Sequence, residues 1–313
     1  MHDKEEEIMN EYLLYTNSLT KKFKEHNAVH DVHLHVRKGA IYGLIGRNGA
    51  RKTTLLKMIS GLSAPTSGEI YFLGKNRKEL AKVRNRVGCH IEAPGLYPEL
   101  NAYQNLKCKC IQRNKNNDTY IRELLELVGL ENTGNKKVGK FSLGMKQRLG
   151  IAMALVGDTE LLLLDEPING LDPQGIREIR EILSKLNKEK GITIIISSHI
   201  LDELERVATD YGIIHNGELV QEITADKLME QCKEKLFIKI DNSKKAADVL
   251  SNMKIHNYSV IDNESIQVNG HILESGSINA ALVNSGCQVY EIKIQTDSLE
   301  DYYFKLTGGV HNA

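Results

Sequence analysis

The chain has 313 residues, with 41 basic and 41 acidic side chains and a formal net charge of zero. This length suits one large domain with a small one, or two medium domains, and the charge balance gives no general attraction to nucleic acid, so we expect no nucleic-acid partner. No apolar run approaches the roughly 20 residues of a membrane span, and the N-terminus carries no secretory signal pattern.

In chain order, the acidic start "HDKEEE" predicts a solvated tail over residues 1–11. Three short apolar runs follow: "AIYGLI" (40–45), "ELLLLD" (160–165) and "ITIIIS" (192–197). Runs without polar alternation are typical of strands that are covered on both faces, as in a parallel sheet. Because the helical stretches "KTTLLKMISG" and "GIREIREILSKLNKEKG" alternate with these runs, the sequence predicts an α/β layered domain.

Residues 92–158 have a mostly helical pattern, which predicts a helical insertion between the first and second buried strands. Within it, "DTYIRELLELVGL" offers a helix cap at Asp118 or Thr119. The apolar stripe of this helix is formed by Ile121, Leu124, Leu125 and Val128.

After about residue 225 the pattern changes to short strands and helices in the order β-α-β-β-α-β, which is the ferredoxin-like arrangement. A last helix, "SLEDYYFKLTG", begins at a capping box of Ser298 and Asp301 and ends at Gly308. We therefore predict a nucleotide-binding domain over 12–224 and a small C-terminal α+β domain over 225–313.

The stretch "GRNGARKTT" (46–54) nearly matches the phosphate-binding loop G-x-x-x-x-G-K-[ST], except that Arg51 replaces the second glycine. A strand precedes it and a helix begins at Lys52, so the helix N-terminus and loop N–H groups point at one place. Lys52 would reach the β- and γ-phosphates, and Thr53 would bind Mg²⁺. Taken alone, the stretch is equally consistent with an ordinary glycine-rich turn.

Three further segments favour the nucleotide site. "LLLLDEP" ends an apolar strand in Asp165, which suits Mg²⁺, and Glu166, which could deprotonate or orient an attacking water. "SSH" ends the third buried strand and places His199 at the same sheet edge. "FSLGMKQRLGIAMAL" sets Ser142 and Gly144 at the start of a helix, which is a second anion-binding N-terminus.

In this order of motifs the chain resembles the ATP-binding subunits of ABC transporters, over about residues 12–220: P-loop, Gln-loop position at Glu92, signature "SLGMKQ", Walker B "LLLLDEP", D-loop "NGLD" and switch His199. The resemblance implies a P-loop NTPase core, ATP and Mg²⁺ as ligands, ATP hydrolysis, and Glu166 and His199 as catalytic residues. It implies Mg²⁺ contacts at Thr53 and Asp165. The implied nucleotide contacts are Phe23, Gly46, Arg47, Asn48, Gly49, Ala50, Arg51, Lys52, Thr53, Thr54, Glu92, Ser142, Gly144 and Asp172.

The resemblance also implies partners. Two such subunits would pair head to tail, with Ser142 and Gly144 capping the nucleotide on the opposite P-loop; a homodimer and a heterodimer both stay open. The five cysteines show no paired spacing, which favours free thiols in a reducing cytoplasm. We expect a separate membrane permease and a peripheral location on the inner face of the cell membrane. Phe23 stands where the family stacks an aromatic ring on adenine, and a core phenylalanine is the rival interpretation.

Within the family, "IEAPGLYPELNAYQNL", "FSLGMKQRLGIAMALVG" and "SLEDYYFKLTGG" resemble the bacitracin and lantibiotic export or immunity subgroup. Leu143, Met145 and Glu92 depart from the general family pattern but look ordinary in that subgroup. Arg51, by contrast, departs from the pattern of that subgroup as well as from that of the family.

Arg51 divides the functional prediction. If position 51 needs a left-handed backbone, a side chain there costs on the order of 1–3 kcal/mol. The guanidinium could offset part of this cost by pairing with phosphate oxygens, but a tight loop has little room for it, so we expect impaired binding or hydrolysis. One hypothesis is a working ATPase that drives a permease. The other is a nucleotide-binding or scaffold subunit with little turnover. The presence of Glu166 and His199 favours the first.

Overall fold

The computed structural model describes residues 11–24, 26–76, 78–92, 95–200, 204–231, 234–296 and 299–308. The chain forms two compact units, which meet in sequence between Ala225 and Asp226. The predictions for the tail up to residue 10 and for the cap at Ser298 fall outside the described residues.

The first unit is built on two sheets. Its strands are β1 (Tyr12–Phe23), β2 (His26–Val32), β3 (His35–Arg37), β4 (Ile41–Ile45), β5 (Ser67–Phe72), β6 (Val87–His90), β7 (Leu161–Asp165), β8 (Thr193–Ser198), β9 (Asp210–His215) and β10 (Glu218–Thr224). One sheet has the order β10-β9-β4-β8-β7-β6, and all its neighbours are parallel except β9 and β10. In the other, β1 pairs antiparallel with β2, β3 and β5.

The helices of the first unit cover the parallel sheet and form the predicted insertion. They are α1 (Lys52–Ser60), α2 (Leu80–Val83), α3 (Ala102–Gln112), α4 (Asp118–Leu127), α5 (Leu143–Ala154) and α6 (Pro173–Lys190). The cap of α4 is Asn117, whose side chain accepts from the Thr119 and Tyr120 N–H groups, so the predicted cap at Asp118 or Thr119 is wrong. Asn117 has the extended backbone that a cap requires, whereas Asp118 is already helical.

The main core of this unit lies between the two sheets and beside α1. Leu14, Val36, Leu55, Leu163 and Ile195 belong to it, and each is buried. The central strands β4 and β8 are buried along their whole length, as the uninterrupted apolar runs predicted. The α/β layered class predicted from the sequence is confirmed.

The second unit has the predicted β-α-β-β-α-β order. After α7 (Ala225–Gln231), which begins at the boundary, come β11 (Glu234–Ile240), α8 (Ser243–Asn252), β12 (Tyr258–Asp262), β13 (Ser265–Asn269), α9 (Ser275–Asn284), β14 (Val289–Thr296) and α10 (Leu299–Thr307). The strands form an antiparallel sheet in the order β12-β13-β11-β14, which is ferredoxin-like. Leu236, Leu250, Ile266 and Leu282 lie in its own apolar core.

None of the helices in the described ranges combines the length and the apolar character that a bilayer span needs. Cys89, Cys108, Cys110 and Cys287 are free thiols.

Candidate nucleotide-binding site

The candidate site lies at the edge where three neighbouring parallel strands end. In the sheet β8 stands between β4 and β7, with Ile45 in register with Ser198, and Ser197 in register with Asp165. Parallel strands present their carboxyl ends at one edge, which is where ligands of such sheets bind. The loop after β4, the carboxylates at the end of β7 and the residue after β8 therefore meet.

The loop at 46–51 joins β4 directly to α1. Gly46 is tightly enclosed, because a Cβ there would lie 2.5 Å from the carbonyl oxygen of Ile214. Arg47, Asn48 and Gly49 form an exposed tip, and Gly49 has a φ of 86°. The loop is thus a turn that opens α1 with its N–H groups toward the sheet edge, the arrangement that binds phosphate.

Lys52 begins α1 and folds back over the loop. Its side chain is buried, and Nζ donates a hydrogen bond to the Gly46 carbonyl oxygen at 2.6 Å. Nζ also forms an ion pair with Glu166 Oε1 at 3.1 Å. The ammonium therefore lies between the loop and Glu166, the carboxylate that the sequence predicted as catalytic.

A second chain of contacts runs beside it. Thr53 Oγ1 donates to Asp165 Oδ2 at 2.8 Å, and Ser197 Oγ donates to Asp165 Oδ1 at 2.6 Å. The Glu166 N–H in turn donates to Ser197 Oγ at 3.0 Å. Sequence reasoning missed Ser197, although the last polar residues of a buried strand beside the carboxylate strand are a signal that could have identified it. Thr53 and Asp165 supply the hard oxygen ligands that Mg²⁺ prefers.

Glu166 and His199 form the third contact of the site. His199 Nδ1 lies 2.7 Å from Glu166 Oε2, and both side chains are mostly buried. Glu166 has a φ of 50°, a left-handed conformation that is uncommon outside glycine and that clusters at functional sites. One carboxylate thus holds Lys52 through one oxygen and His199 through the other.

Arg51 stands immediately before α1 in the left-handed conformation, with φ 81° and ψ 20°. Its guanidinium Nη2 lies 3.3 Å from His26 Nε2 at the start of β2, and the side chain is exposed. Backbone strain was expected if position 51 is left-handed, and Arg51 has that conformation. The strain is therefore present. The guanidinium extends away toward β2.

Phe23 ends β1 and is 53% exposed. Lys21 Nζ lies 4.9 Å from the centre of its ring. The core interpretation of Phe23 is wrong, because a core side chain would be enclosed. The ring face is accessible for stacking.

Glu92 follows β6 and also has a left-handed backbone, with φ 62°. Its carboxylate pairs with Lys57 Nζ of α1 at 2.5 Å, and this carboxylate is largely exposed. The Gln-loop position is therefore attached to α1, the helix that Lys52 begins.

Ser142, Gly144 and Asp172 lie together at a different place. Ser142 caps α5 by accepting from the Met145 N–H, and Asp172 caps α6 by accepting from the Gly175 N–H. A Cβ on Gly144 would lie 3.7 Å from Leu171 of the 169–172 segment. The start of α5 is thus set beside the D-loop, while the contacts at the strand ends join the P-loop to Asp165, Glu166 and His199.

Comparison with known proteins agrees with these motifs. The family model described as ABC transporter matches residues 29–169. The bacitracin transport ATP-binding protein BcrA of Bacillus licheniformis is 45% identical, over 95% of this chain and 98% of that protein. The lantibiotic transport ATP-binding protein SrtF of Streptococcus pyogenes is 44% identical, over 67% of this chain and 90% of its own length.

Solved structures of the same kind are similar in fold. An ATP-binding cassette determined as a dimer in a post-hydrolysis state with ADP and phosphate is 27% identical and superposes with a TM-score of 0.61, over 68% of this chain and 98% of that one. An ATP-binding subunit of an ABC transporter is 33% identical with a TM-score of 0.62, over 70% and 92% of the two chains.

Proposed function

The chain belongs to the ABC transporter family as an ATP-binding, ATP-hydrolysing subunit, and we propose that its reaction is carried out by Lys52, Thr53, Asp165, Glu166 and His199. The observation that carries this proposal is the arrangement at the strand ends. One carboxylate contacts both the P-loop lysine and the histidine, and its neighbour contacts the P-loop threonine.

Binding of the triphosphate follows from the position of Lys52. Its ammonium is held by the Gly46 carbonyl oxygen and by the Glu166 carboxylate. A charged phosphate oxygen is a stronger acceptor for an ammonium than a neutral carbonyl, and Glu166 has a separate role in hydrolysis. We infer that the β- and γ-phosphates take over Lys52. The N–H groups at the start of α1 then complete the cradle.

Thr53 and Asp165 fit a magnesium ion because their oxygens already face each other at 2.8 Å. The ion would neutralise the charge that develops on the transferred phosphoryl group. Ser197 holds the second oxygen of Asp165, so this carboxylate keeps its orientation when the Thr53 hydroxyl is redirected.

Hydrolysis requires a base for the attacking water, and we infer that Glu166 is this base. Once Lys52 turns to phosphate, Glu166 Oε1 is released, while His199 keeps Oε2 in position from 2.7 Å. His199 thus orients the carboxylate during proton transfer. General-base catalysis of this kind contributes about 10²–10⁴-fold in rate.

The substitution Glu166→Gln tests this assignment. The amide keeps the shape of the side chain but cannot take a proton, so kcat for ATP hydrolysis should fall at least about 100-fold, with ATP still bound. Phosphate release and binding of a fluorescent ATP analogue measure the two properties. Glu160→Gln, which removes an ion-paired carboxylate at the opposite end of β7 from Asp165, is the control and should keep kcat. Retained hydrolysis in the Glu166 variant would exclude it as the base.

We propose that two such cassettes work together on a separate membrane permease, at the inner face of the membrane. Ser142 and Gly144 lie at the N-terminus of α5 beside the D-loop, and a helix N-terminus suits recognition of a nucleotide held by a second cassette. Purification of the complex and its composition distinguish a second copy of this chain from a related chain as the paired cassette.

For the transported compound we propose a peptide antibiotic, supported by similarity to bacitracin and lantibiotic transport proteins along most of the chain. Production of the chain with its permease in a sensitive strain should raise the growth-inhibitory concentration of bacitracin. The Glu166→Gln chain with the same permease, and the permease alone, should give no protection. Equal protection by the permease alone would contradict a role for this subunit.

A further inference from the structure

A buried hydrogen bond links strand β6 to the helix that begins at the signature. His90, the last residue of β6, is 4% exposed, and its Nε2 lies 2.5 Å from Gln147 Oε1 on α5. Burial lowers the pKa of His90, which favours the neutral ring. Because an amide oxygen only accepts, Nε2 carries the proton and donates it.

Strand and helix are packed closely around this bond. A Cβ on Gly150 of α5 would lie 2.8 Å from His90 Cε1, and a Cβ on Gly88 of β6 would lie 2.2 Å from the Ala154 carbonyl oxygen. A glycine on each element therefore permits an approach that any side chain would block. The imidazole lies against the helix at this contact.

The two ends of the bond lead to different functional segments. His90 is in register with Leu164, the residue before Asp165, and stands two residues before Glu92. Gln147 is in the first turns of α5, whose cap is Ser142. The bond thus connects the strand edge of the nucleotide site to the start of the signature helix.

Arg148, the next residue of α5, is held by other contacts. Arg148 Nη1 donates to the carbonyl oxygens of Val128 and Gly129 at 3.1 and 3.0 Å, and Arg148 pairs with Glu178 of α6 at 3.4 Å. These contacts fasten α5 to other helices. Among the residues that the structure describes, the His90–Gln147 bond is the side-chain hydrogen bond that fastens α5 to the parallel sheet.

We propose that His90 and Gln147 are positioning residues, which fix the signature helix on β6 so that Ser142 and Gly144 meet the nucleotide of the second cassette. This rests on the proposed function. A pair of apolar side chains could fill the same space, but a directional hydrogen bond sets one register of helix on strand and is costly to leave unmade.

The substitution Gln147→Met keeps the length of the side chain and removes the acceptor. Misplacement of a distant contact lowers rate more than affinity, so kcat for ATP hydrolysis should fall about 10- to 100-fold while ATP affinity changes less than about twofold. Gln147→Glu retains an acceptor oxygen and should recover kcat to within about threefold of the unaltered chain.

Tyr120→Phe is the matched control. Tyr120 Oη donates to the Leu155 carbonyl oxygen at 3.2 Å, at the other end of the same helix. Its loss should lower the melting temperature by a few degrees, as Gln147→Met does, but leave kcat within about twofold. Equal losses of kcat in both variants would show that α5 needs only general stability, and the proposal would be wrong.

The double substitution His90→Leu with Gln147→Met removes both polar partners. Stability should largely return, because no buried group is left unpaired, whereas kcat should stay low. Recovery of kcat together with stability would overturn the proposal.

Amide hydrogen exchange over residues 143–150 gives a readout that does not need hydrolysis. Exchange should speed up in Gln147→Met and return toward normal in Gln147→Glu, and unchanged exchange would contradict the positioning contact. If the unaltered chain neither bound nor hydrolysed ATP, the proposed function would fail, and the exchange result would still decide the contact.

Discussion

Arg51 stands in a conformation that glycine adopts freely and that costs other residues about 1–2 kcal/mol. The guanidinium offsets little of this cost, because its contact with His26 is exposed and long at 3.3 Å. Since the side chain extends toward β2, it does not fill the loop from within. The expected impairment of ATP binding or hydrolysis would therefore come from backbone strain in the loop and from a Cβ close to the proposed phosphate position.

The substitution Arg51→Gly should remove both effects. We expect the free energy of unfolding to rise by about 1 kcal/mol, since the relief of strain exceeds the added backbone entropy of glycine. We also expect kcat/KM for ATP to rise. Urea unfolding and phosphate release measure the two quantities.

Arg51→Ala is the control, because it removes the guanidinium and keeps the Cβ and the strain. It should show neither gain. If Ala and Gly raised kcat/KM equally, the guanidinium and not the backbone would be the cause. If neither altered it, Arg51 would be compatible with full activity, and the scaffold hypothesis would lose its basis.

The sequence could predict which side chains stand at the strand ends, because residue type and the end of an apolar run are local properties. Lys52, Asp165, Glu166 and His199 were identified in this way. Ser197 was not, since the polar end of an apolar run marks it as a candidate but its role depends on the register of β8 against β7. His90 was not identified either, because Gln147, the residue to which it is hydrogen-bonded, lies 57 residues away in the sequence.

At the scale of elements, a single carboxylate ties three strands together. Glu222 of β10 accepts from the His35 N–H of β3 at 2.9 Å, from His35 Nδ1 at 2.8 Å and from the buried Tyr42 hydroxyl of β4 at 2.7 Å. β4 leads into the P-loop. The contact with Glu222 raises the pKa of His35 above its ordinary value.

This shift predicts a pH dependence of stability. Because the pKa of His35 is raised on folding, its contribution is fully present below the unfolded pKa of about 6.5 and is lost as pH rises through the folded pKa. His35→Gln keeps a donor but removes the charge. The variant should be less stable than the unaltered chain at pH 5.5, by less than about 1 kcal/mol since the pair is partly exposed, and equally stable at pH 9.

Urea unfolding at the two pH values measures this difference. His33→Gln, which changes a neighbouring exposed histidine, is the control and should show a smaller difference between the two pH values. A loss of stability in His35→Gln that is as large at pH 9 as at pH 5.5 would mean that the charge of His35 has no part in it.

Elements differed in how far the sequence could predict them. The buried strands β4, β7 and β8 were predicted from uninterrupted apolar runs. The helix α6 was predicted from apolar residues at helical spacing. β1, β2, β3 and β5 were missed because they are partly exposed, with irregular burial and register shifts that break a simple alternation. β6 was missed because "VGCH" is four residues long and has a glycine that serves the packing of α5.

For the whole molecule, the division after Ala225 implies two independent cores. Leu236, Ile238, Leu250, Ile266 and Leu282 pack with one another inside the second unit. The match with the lantibiotic relative covers 67% of this chain but 90% of that protein. That relative therefore has few residues outside the matched part. We propose that each unit folds alone, since each has its own core.

Residues 1–225 and 226–313, produced as separate fragments, test this division. The first should bind ATP with an affinity within about threefold of the full chain, because all the proposed nucleotide contacts lie in it. The second should show cooperative urea unfolding, because its βαββαβ core is complete. Calorimetry and nucleotide titration measure these properties. An unfolded second fragment, or a first fragment that binds ATP only when the second is added back, would show that the two cores depend on each other.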